Sequence, residues 1–452
     1  MTPTARALPH RRAFALAWPA ILSNISVPLV GLIDTAMLGH FSDEVNLGAA
    51  ALGSTILGAV FWLMSFLRTG TTSLVGRALG AGRADSALTH AQRSAILAAA
   101  LGIGILLTQW AVVPPLMRLL TPDAALADLG AAFTSIRLAS APAVLLTLVI
   151  AGWFIGAGDT RRPLVVVVTI GSLNVLLDLL FVAGLKYGAE GAAVATAISE
   201  WAGFAVAIWL WRRSVGEATR ASARKWRGRG LRSGWRAVLG LNRDIFFRTA
   251  VLYAVLTFMT AYGAHISTTV VAANAILMQL MLLASYGQDG YAHAAESLVA
   301  REIGARDVPA FHRAVGAAAL PAVAIGAVFT ALYLVGGDAF IGILTSLPDV
   351  TAAAQHAMPW VALLPLASSA AYLFDGVFLG SGKVRWMLAT MAASALVFVL
   401  LWWLGASTDD PAARNDNLWR AFLIFNVCRG LFLGAAYARI TRARAWLTGT
   451  AA

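Results

Sequence analysis

The chain has 452 residues, of which 59% are hydrophobic and only 12% charged, with 34 Lys and Arg against 22 Asp and Glu for a net charge of +12. Soluble globular chains carry roughly 25% charged residues, so a soluble enzyme or binding module is excluded and a polytopic membrane protein is expected. The single cysteine, Cys428, rules out an intrachain disulfide and a cysteine metal site, and the seven histidines show no ligand spacing.

A helix needs about 20 apolar residues to cross a bilayer core of about 30 Å. In chain order, twelve predicted spans cover roughly 14–38, 48–72, 94–117, 131–156, 163–185, 190–211, 245–267, 270–295, 314–336, 352–379, 384–405 and 418–440. The first follows "RALPHRR", a basic start like that of a signal peptide. Its apolar run is too long, however, and lacks a small-x-small cleavage site, so it is read as a retained membrane helix.

Most of the arginines and lysines fall on alternate loops: Arg6, Arg11 and Arg12; Arg77, Arg83 and Arg93; Arg161 and Arg162; the segment between Arg212 and Arg243; Arg301, Arg306 and Arg313; Lys383 and Arg385; Arg439, Arg442 and Arg444. The other loops hold the acidic stretches "SDEVN", "TPDAALAD" and "STDDPAARNDN". Positively charged loops stay inside, so both termini are expected in the cytoplasm. The basic charge is spread over these loops and gathered on no single domain, which argues against a nucleic-acid partner. The basic segment 212–244 is expected to be a linker lying on anionic lipid.

An internal repeat divides the chain. "SLVGRALGAGR" (73–83) matches "SLVAREIGAR" (297–306), and "GWFIGAGDTRR" (152–162) matches "GVFLGSGKVRW" (376–386), both at an offset of 224 residues. The expected organisation is an N-terminal six-helix bundle (1–211), the linker (212–244) and a C-terminal six-helix bundle (245–452). The two bundles are expected to be related by a pseudo-two-fold axis along the membrane normal, as in parallel-repeat transporters. The shared glycines are expected to let helices approach or to cap last turns. "GSGKV" is no phosphate loop, because Val377 and Val384 stand where a Walker A motif needs Gly and Ser or Thr.

Polar residues inside the spans differ between the two halves. Asp34 lies within "SVPLVGLIDTAMLGH", and Asn174, Asp178, Thr196 and Glu200 follow in the fifth and sixth spans. Shifted by 224, Asp34 lands in "TFMT", Asn174 on Phe398 and Asp178 on Trp402. Structural residues of a duplicated fold tend to recur, so these point to a task confined to the first half. By helical rise, Asp34 is roughly 30 Å along its helix and Asp178 about 22 Å along its own, so the group is expected to meet in the outer half of the bundle. Asn174 and Asp178 share a face at i,i+4, where the amide can hydrogen-bond the carboxylate. A carboxylate there either takes a proton readily or keeps its charge beside a cation. Pro19 and Pro28 favour a bend in the first helix.

Plainer readings stand beside these. Asp34 also fits an acid near the outer headgroups, and Glu200 a partner of Arg137. In the second half, Asp289, Glu296 and Asp375 fit loop-edge pairing with Arg301 or Arg385 about as well as a secondary role in coupling. Arg68 and Arg248 lie near inner ends, where they can snorkel. Trp153, Trp402 and Trp403 are read as packing or interface residues.

The segments "WPAILSNISVPLVGLIDTAMLGH" and "GWFIGAGDTRRP" resemble the multidrug and toxin extrusion (MATE) transporters over essentially the whole chain. "NVLLDLLF", "GAEGAAVATAISEW", "LNRDIFFR", "SYGQDGYAHAAESLV" and "FDGVFLGSGKVR" are similar to its DNA-damage-inducible protein F branch. The resemblance implies an all-α fold of twelve helices in two six-helix bundles. It implies efflux of organic compounds against inward proton or sodium flow, with the coupling site at Asp34, Asn174, Asp178 and Thr196. The acid of the sodium-driven branch would fall near Ser368, and Asp375 stands where the DNA-damage-inducible branch has its own acid. Protons are therefore expected in preference to sodium, and any sodium at Asp34, Asn174, Asp178 and Thr196. The expected function is cation-coupled antiport of amphipathic, mainly cationic compounds by a monomer of the bacterial inner membrane, with no cofactor. The alternatives are a flippase for lipid-linked precursors, which should carry more intramembrane Arg and Lys, and a membrane-embedded enzyme, which should carry a nucleophile or a metal constellation.

Overall fold

The computed structural model describes residues 9–216, 234–405 and 410–448, so most of the basic linker lies outside the described residues. Those residues form α-helices in chain order: α1 (Pro9–Phe41), α2 (Glu44–Leu63), α3 (Phe66–Gly80), α4 (Ala84–Leu120), α5 (Ala124–Leu138), α6 (Ala141–Gly156), α7 (Arg161–Asp178), α8 (Gly188–Ser214), α9 (Trp235–Ile266), α10 (Thr268–Gly304), α11 (Val308–Leu344), α12 (Pro348–Ser381), α13 (Val384–Leu404) and α14 (Pro411–Arg442). Between α7 and α8 the chain widens into a π-helical segment, Leu179–Gly184. Among the described residues, eleven helical segments are long and apolar enough to span a membrane, with α2–α3 and α7 plus the π segment each counted as one. The pair α5–α6, bent by 45°, makes a twelfth. Among the described residues the expected all-α fold is present, with eleven candidate spans, or twelve when the bent pair is counted as one.

Helix ends follow from short polar residues. Asp43 caps α2 through the Asn46 amide at 2.8 Å, Ser267 caps α10 through Val270 at 3.1 Å, and Asp307 caps α11 through Ala310 at 2.8 Å. The α5–α6 bend falls where Pro142 enters the first turn of α6; proline disfavours helical geometry in the residue before it and lacks an amide donor.

The chain packs as two compact units, Leu22–Asn242 and Met1–Ile21 with Arg243–Ala452. In the first, Leu38, Leu57, Val113, Met117 and Phe133 form one core cluster, and Val75, Leu88, Trp153 and Phe154 another. In the second, α12 is the most buried span, and Tyr333, Phe398, Trp419 and Phe425 gather in the core. Trp402 packs there with Phe258 and Tyr262, ring centroids 4.9 and 5.3 Å away.

The repeat recurs as a packing interaction. A β-carbon on Gly152 would lie 2.4 Å from the Arg68 carbonyl, and one on Gly376 2.2 Å from that of Ala292. One turn on, a β-carbon on Gly156 would lie 2.8 Å from the Thr72 carbonyl and one on Gly380 2.4 Å from that of Glu296. Every partner is displaced by the same 224 residues, so the α3–α6 contact of one unit is rebuilt as the α10–α12 contact of the other. Even the left-handed positions correspond: Gly158 (φ 80°) with Gly382 (φ 73°), and Gly82 (φ 73°) with Arg306 (φ 60°).

Candidate functional site

Four of the polar residues singled out in the first half come together on three helices. Asn174 and Asp178 lie one turn apart on α7, both with no exposed surface, and Thr196 on α8 is 2% exposed. Asn174 Nδ2 donates to Thr196 Oγ1 at 3.0 Å. The Thr196 hydroxyl lies 2.9 Å from the Ala192 carbonyl and 3.4 Å from Asp34 Oδ2, so its proton is shared between them. Asp34, half-buried on α1, also stands within hydrogen-bonding reach of Asp178. The i,i+4 spacing aims the α7 pair at one neighbour. The wide turn begins immediately after Asp178, with the Leu185 amide reaching back five residues to the Leu180 carbonyl at 2.8 Å. Such π-helical turns are frequent at functional sites.

One contact that the spacing allows is not made. The Asn174 amide goes to Thr196 and not to the Asp178 carboxylate. Both Asp178 oxygens, Asp34 Oδ1 and Asn174 Oδ1 are buried with no hydrogen-bond donor among the described residues. Two carboxylates facing each other with one shared hydroxyl as their donor repel, and the repulsion ends when a proton is shared between them or a cation joins them. The oxygen set of two carboxylates, an amide and a hydroxyl suits either a proton or a hard monovalent cation. Among the described residues no three His, Cys, Asp or Glu side chains gather as a metal site.

Glu200, on the same face of α8 as Thr196, turns elsewhere. Arg137 Nη2 meets its Oε1 at 3.1 Å and Ser140 donates to its other oxygen, so Glu200 ties α8 to the α5–α6 bend. Arg137 in turn lies within electrostatic reach of Asp178.

The acids of the second half belong to the other compact unit. Asp289 is half-buried on α10, and Glu296 is fully buried with His293 Nδ1 3.7 Å away. Asp375 is not a loop-edge residue: its Oδ2 accepts from Arg248 and, at 2.8 Å, from Arg429, which Asn426 also holds at 2.9 Å. Arg248 is correspondingly drawn inward and does not snorkel. Arg385 pairs with Asp244 at 3.6 Å instead. Arg429 escaped the sequence reading, although an arginine within "FNVCRGLF" was a signal in itself. Ser368 donates to Gln288 Oε1 at 3.1 Å and to the Leu364 carbonyl at 2.7 Å.

The chain is similar to known proteins in sequence and in fold. The MatE family model matches residues 19–180 and 245–404, one match in each half. The chain is 34% identical to DNA damage-inducible protein F of Escherichia coli, over all of this chain and 95% of that one. It is 26% identical to a probable multidrug resistance protein NorM of Xanthomonas campestris, covering 94% of this chain and 93% of the other. Among solved structures, a MOP superfamily transporter from Pyrococcus furiosus, for which reversed polarity of the binding pocket suggests a different function, superposes with a TM-score of 0.85 at 19% identity. That likeness covers 97% of both chains and concerns the fold.

Proposed function

We propose, from the premise that this chain belongs to the MatE family, that it is an efflux transporter exchanging amphipathic organic compounds, mainly cations, for an inward-moving proton. The family consists of secondary transporters and not enzymes, so the chemistry required is ion exchange and not bond making. Asp34 and Asp178 carry the ion, Thr196 links Asp34 to the neighbouring helix, and Asn174 orients Thr196. Sodium is the second candidate ion for the same oxygens. The protein works by alternating access as a monomer in the bacterial inner membrane, with both termini in the cytoplasm.

The observation that carries this reading is the pair of facing carboxylates, three of whose four oxygens are buried without a donor among the described residues. A structural acid in a membrane core is paired, as Glu200 is with Arg137 and Asp375 with two arginines. Among the described residues Asp178 makes no such ion pair, and an acid in that position is stable when it holds something that comes and goes.

The test is dye-cation efflux from proteoliposomes under an imposed pH gradient and then under a sodium gradient, for wild type and Asp34→Asn. Gradient-driven efflux by wild type and its loss in the folded variant supports the reading, and the effective gradient names the ion. Undiminished efflux by the variant removes Asp34 from the coupling site. No transport by wild type under either gradient favours the flippase.

A further inference from the structure

The arginines buried among the helices are of two kinds. Arg137, Arg248 and Arg429 each meet a carboxylate. Arg77 on α3 is only 9% exposed, yet its side-chain hydrogen bond runs from Nε to the backbone oxygen of Ser73, 3.2 Å away and one turn earlier. No carboxylate among the described residues pairs with it. A guanidinium withdrawn from water without a counter-charge is costly.

Its neighbours add to the positive charge. His90 on α4 lies within electrostatic reach of Arg77, Arg83 and Arg93. His90 Nδ1 and the hydroxyls of Ser73 and Ser94 are buried without a hydrogen-bond partner among the described residues. The first turns of α4 precede its apolar stretch, at the end of the helix where the arginine-rich loops gather.

The second repeat serves as a control. At an offset of 224, Arg77 corresponds to Arg301, which is exposed, and His90, Arg93 and Ser94 correspond to Ala314, Ala317 and Ala318, all buried. Ala314 packs with Ala13, Leu16 and Ala17, and His10 Nδ1 lies 3.3 Å from the Ala317 carbonyl. Small apolar residues thus close this helix pair in one unit, while basic and hydroxyl side chains occupy the same positions in the other. A polar set kept in one copy only needs a reason other than folding.

We propose that Arg77, His90 and Arg93 form a binding site for a phosphate anion at the end of the α3–α4 pair, filled by the headgroup phosphate of an anionic phospholipid or by free inorganic phosphate. The guanidinium fork matches phosphate oxygens. Basic pockets between helices on the cytoplasmic side suit anionic headgroups. The anion supplies the counter-charge that Arg77 lacks and ties α3 to α4.

The experiment uses the full-length protein, stripped of lipid in detergent and titrated separately with inorganic phosphate, phosphatidylglycerol and phosphatidylcholine while thermal unfolding is followed. Wild type is expected to gain several degrees from phosphate or phosphatidylglycerol, and less from phosphatidylcholine. A gain with inorganic phosphate marks the free anion as sufficient; a gain with phosphatidylglycerol alone marks the lipid. Arg77→Gln is expected to weaken the apparent affinity roughly tenfold or more, the worth of one charge-assisted hydrogen bond. Should that variant fail to fold, His90→Glu decides, because it places a carboxylate beside Arg77 and is expected to remove the response while melting no lower than wild type. No response in wild type, an equal response to phosphatidylcholine, or an undiminished response in a folded variant overturns the proposal.

Discussion

Asn174 gives its amide to Thr196, 22 residues further along the chain, at 3.0 Å, and leaves Asp178 one turn away on its own helix without a donor. That choice makes Asp178 an acid with something to gain from an ion. It also makes Thr196 the link between α7 and α1, since the same hydroxyl reaches Asp34.

Thr196→Val keeps the shape of the side chain and deletes this link. Gradient-driven efflux is expected to fall about tenfold, the equivalent of one hydrogen bond of roughly 1.4 kcal/mol. The melting temperature should move little, because the lost bond is one among many. Efflux at the wild-type rate would remove Thr196 from the coupling route.

Glu200→Gln tests the opposite assignment, that this acid is structural. Each side chain of the Arg137–Glu200 pair is 13% exposed, and breaking a buried pair by removing one charge costs about 3 kcal/mol or more. The variant is expected to unfold at lower temperature while the protein that remains folded keeps its ion dependence, measured as efflux against the imposed gradient per folded molecule.

The duplicated glycine contact makes a paired prediction. Gly152→Ala and Gly376→Ala each force a methyl group against a backbone carbonyl, and overpacking of that kind costs typically about 1–3 kcal/mol. Both are expected to lower thermal stability by similar amounts. Gly31→Ala, with nothing within 4 Å of the added carbon, is the control expected to be neutral.

Asp43 gives a pH signature outside the membrane. Its carboxylate accepts from the Asn46 backbone amide and from the Asn46 side chain, which together hold it below its ordinary value of 3.8. A group depressed in the folded state contributes stability above its unfolded value and loses it as pH falls through the folded one. The melting difference between wild type and Asp43→Ala should therefore be present at neutral pH and shrink as the pH is taken below 3.8.

Much of this architecture was legible in the sequence because bilayer physics is coarse. Long apolar runs and the arginine alternation require little more than helical rise and charge, and the twelve spans are present in the fold. Asp34, Asn174, Asp178 and Thr196 could be brought together from depth and from i,i+4 spacing, since both depend on one helix at a time. Partner choice could not. Whether Asn174 bonds Asp178 or Thr196 depends on the rotation of α7 against α8, which no spacing within either helix encodes. The same holds for Asp375, whose arginines come from α9 and α14. The breaks between α2 and α3 and between α5 and α6 were hidden inside apolar runs, with Pro142 the one local hint.

Proton release on substrate binding tests the central claim, that the buried carboxylate pair carries the coupling ion. Purified protein in weakly buffered detergent, with a pH indicator present, is mixed with a dye cation near pH 7. Wild type should release protons in proportion to bound dye, and folded Asp34→Asn and Asp178→Asn should bind dye with little or no release. Release of the same size from both variants, or none from wild type, would contradict the account.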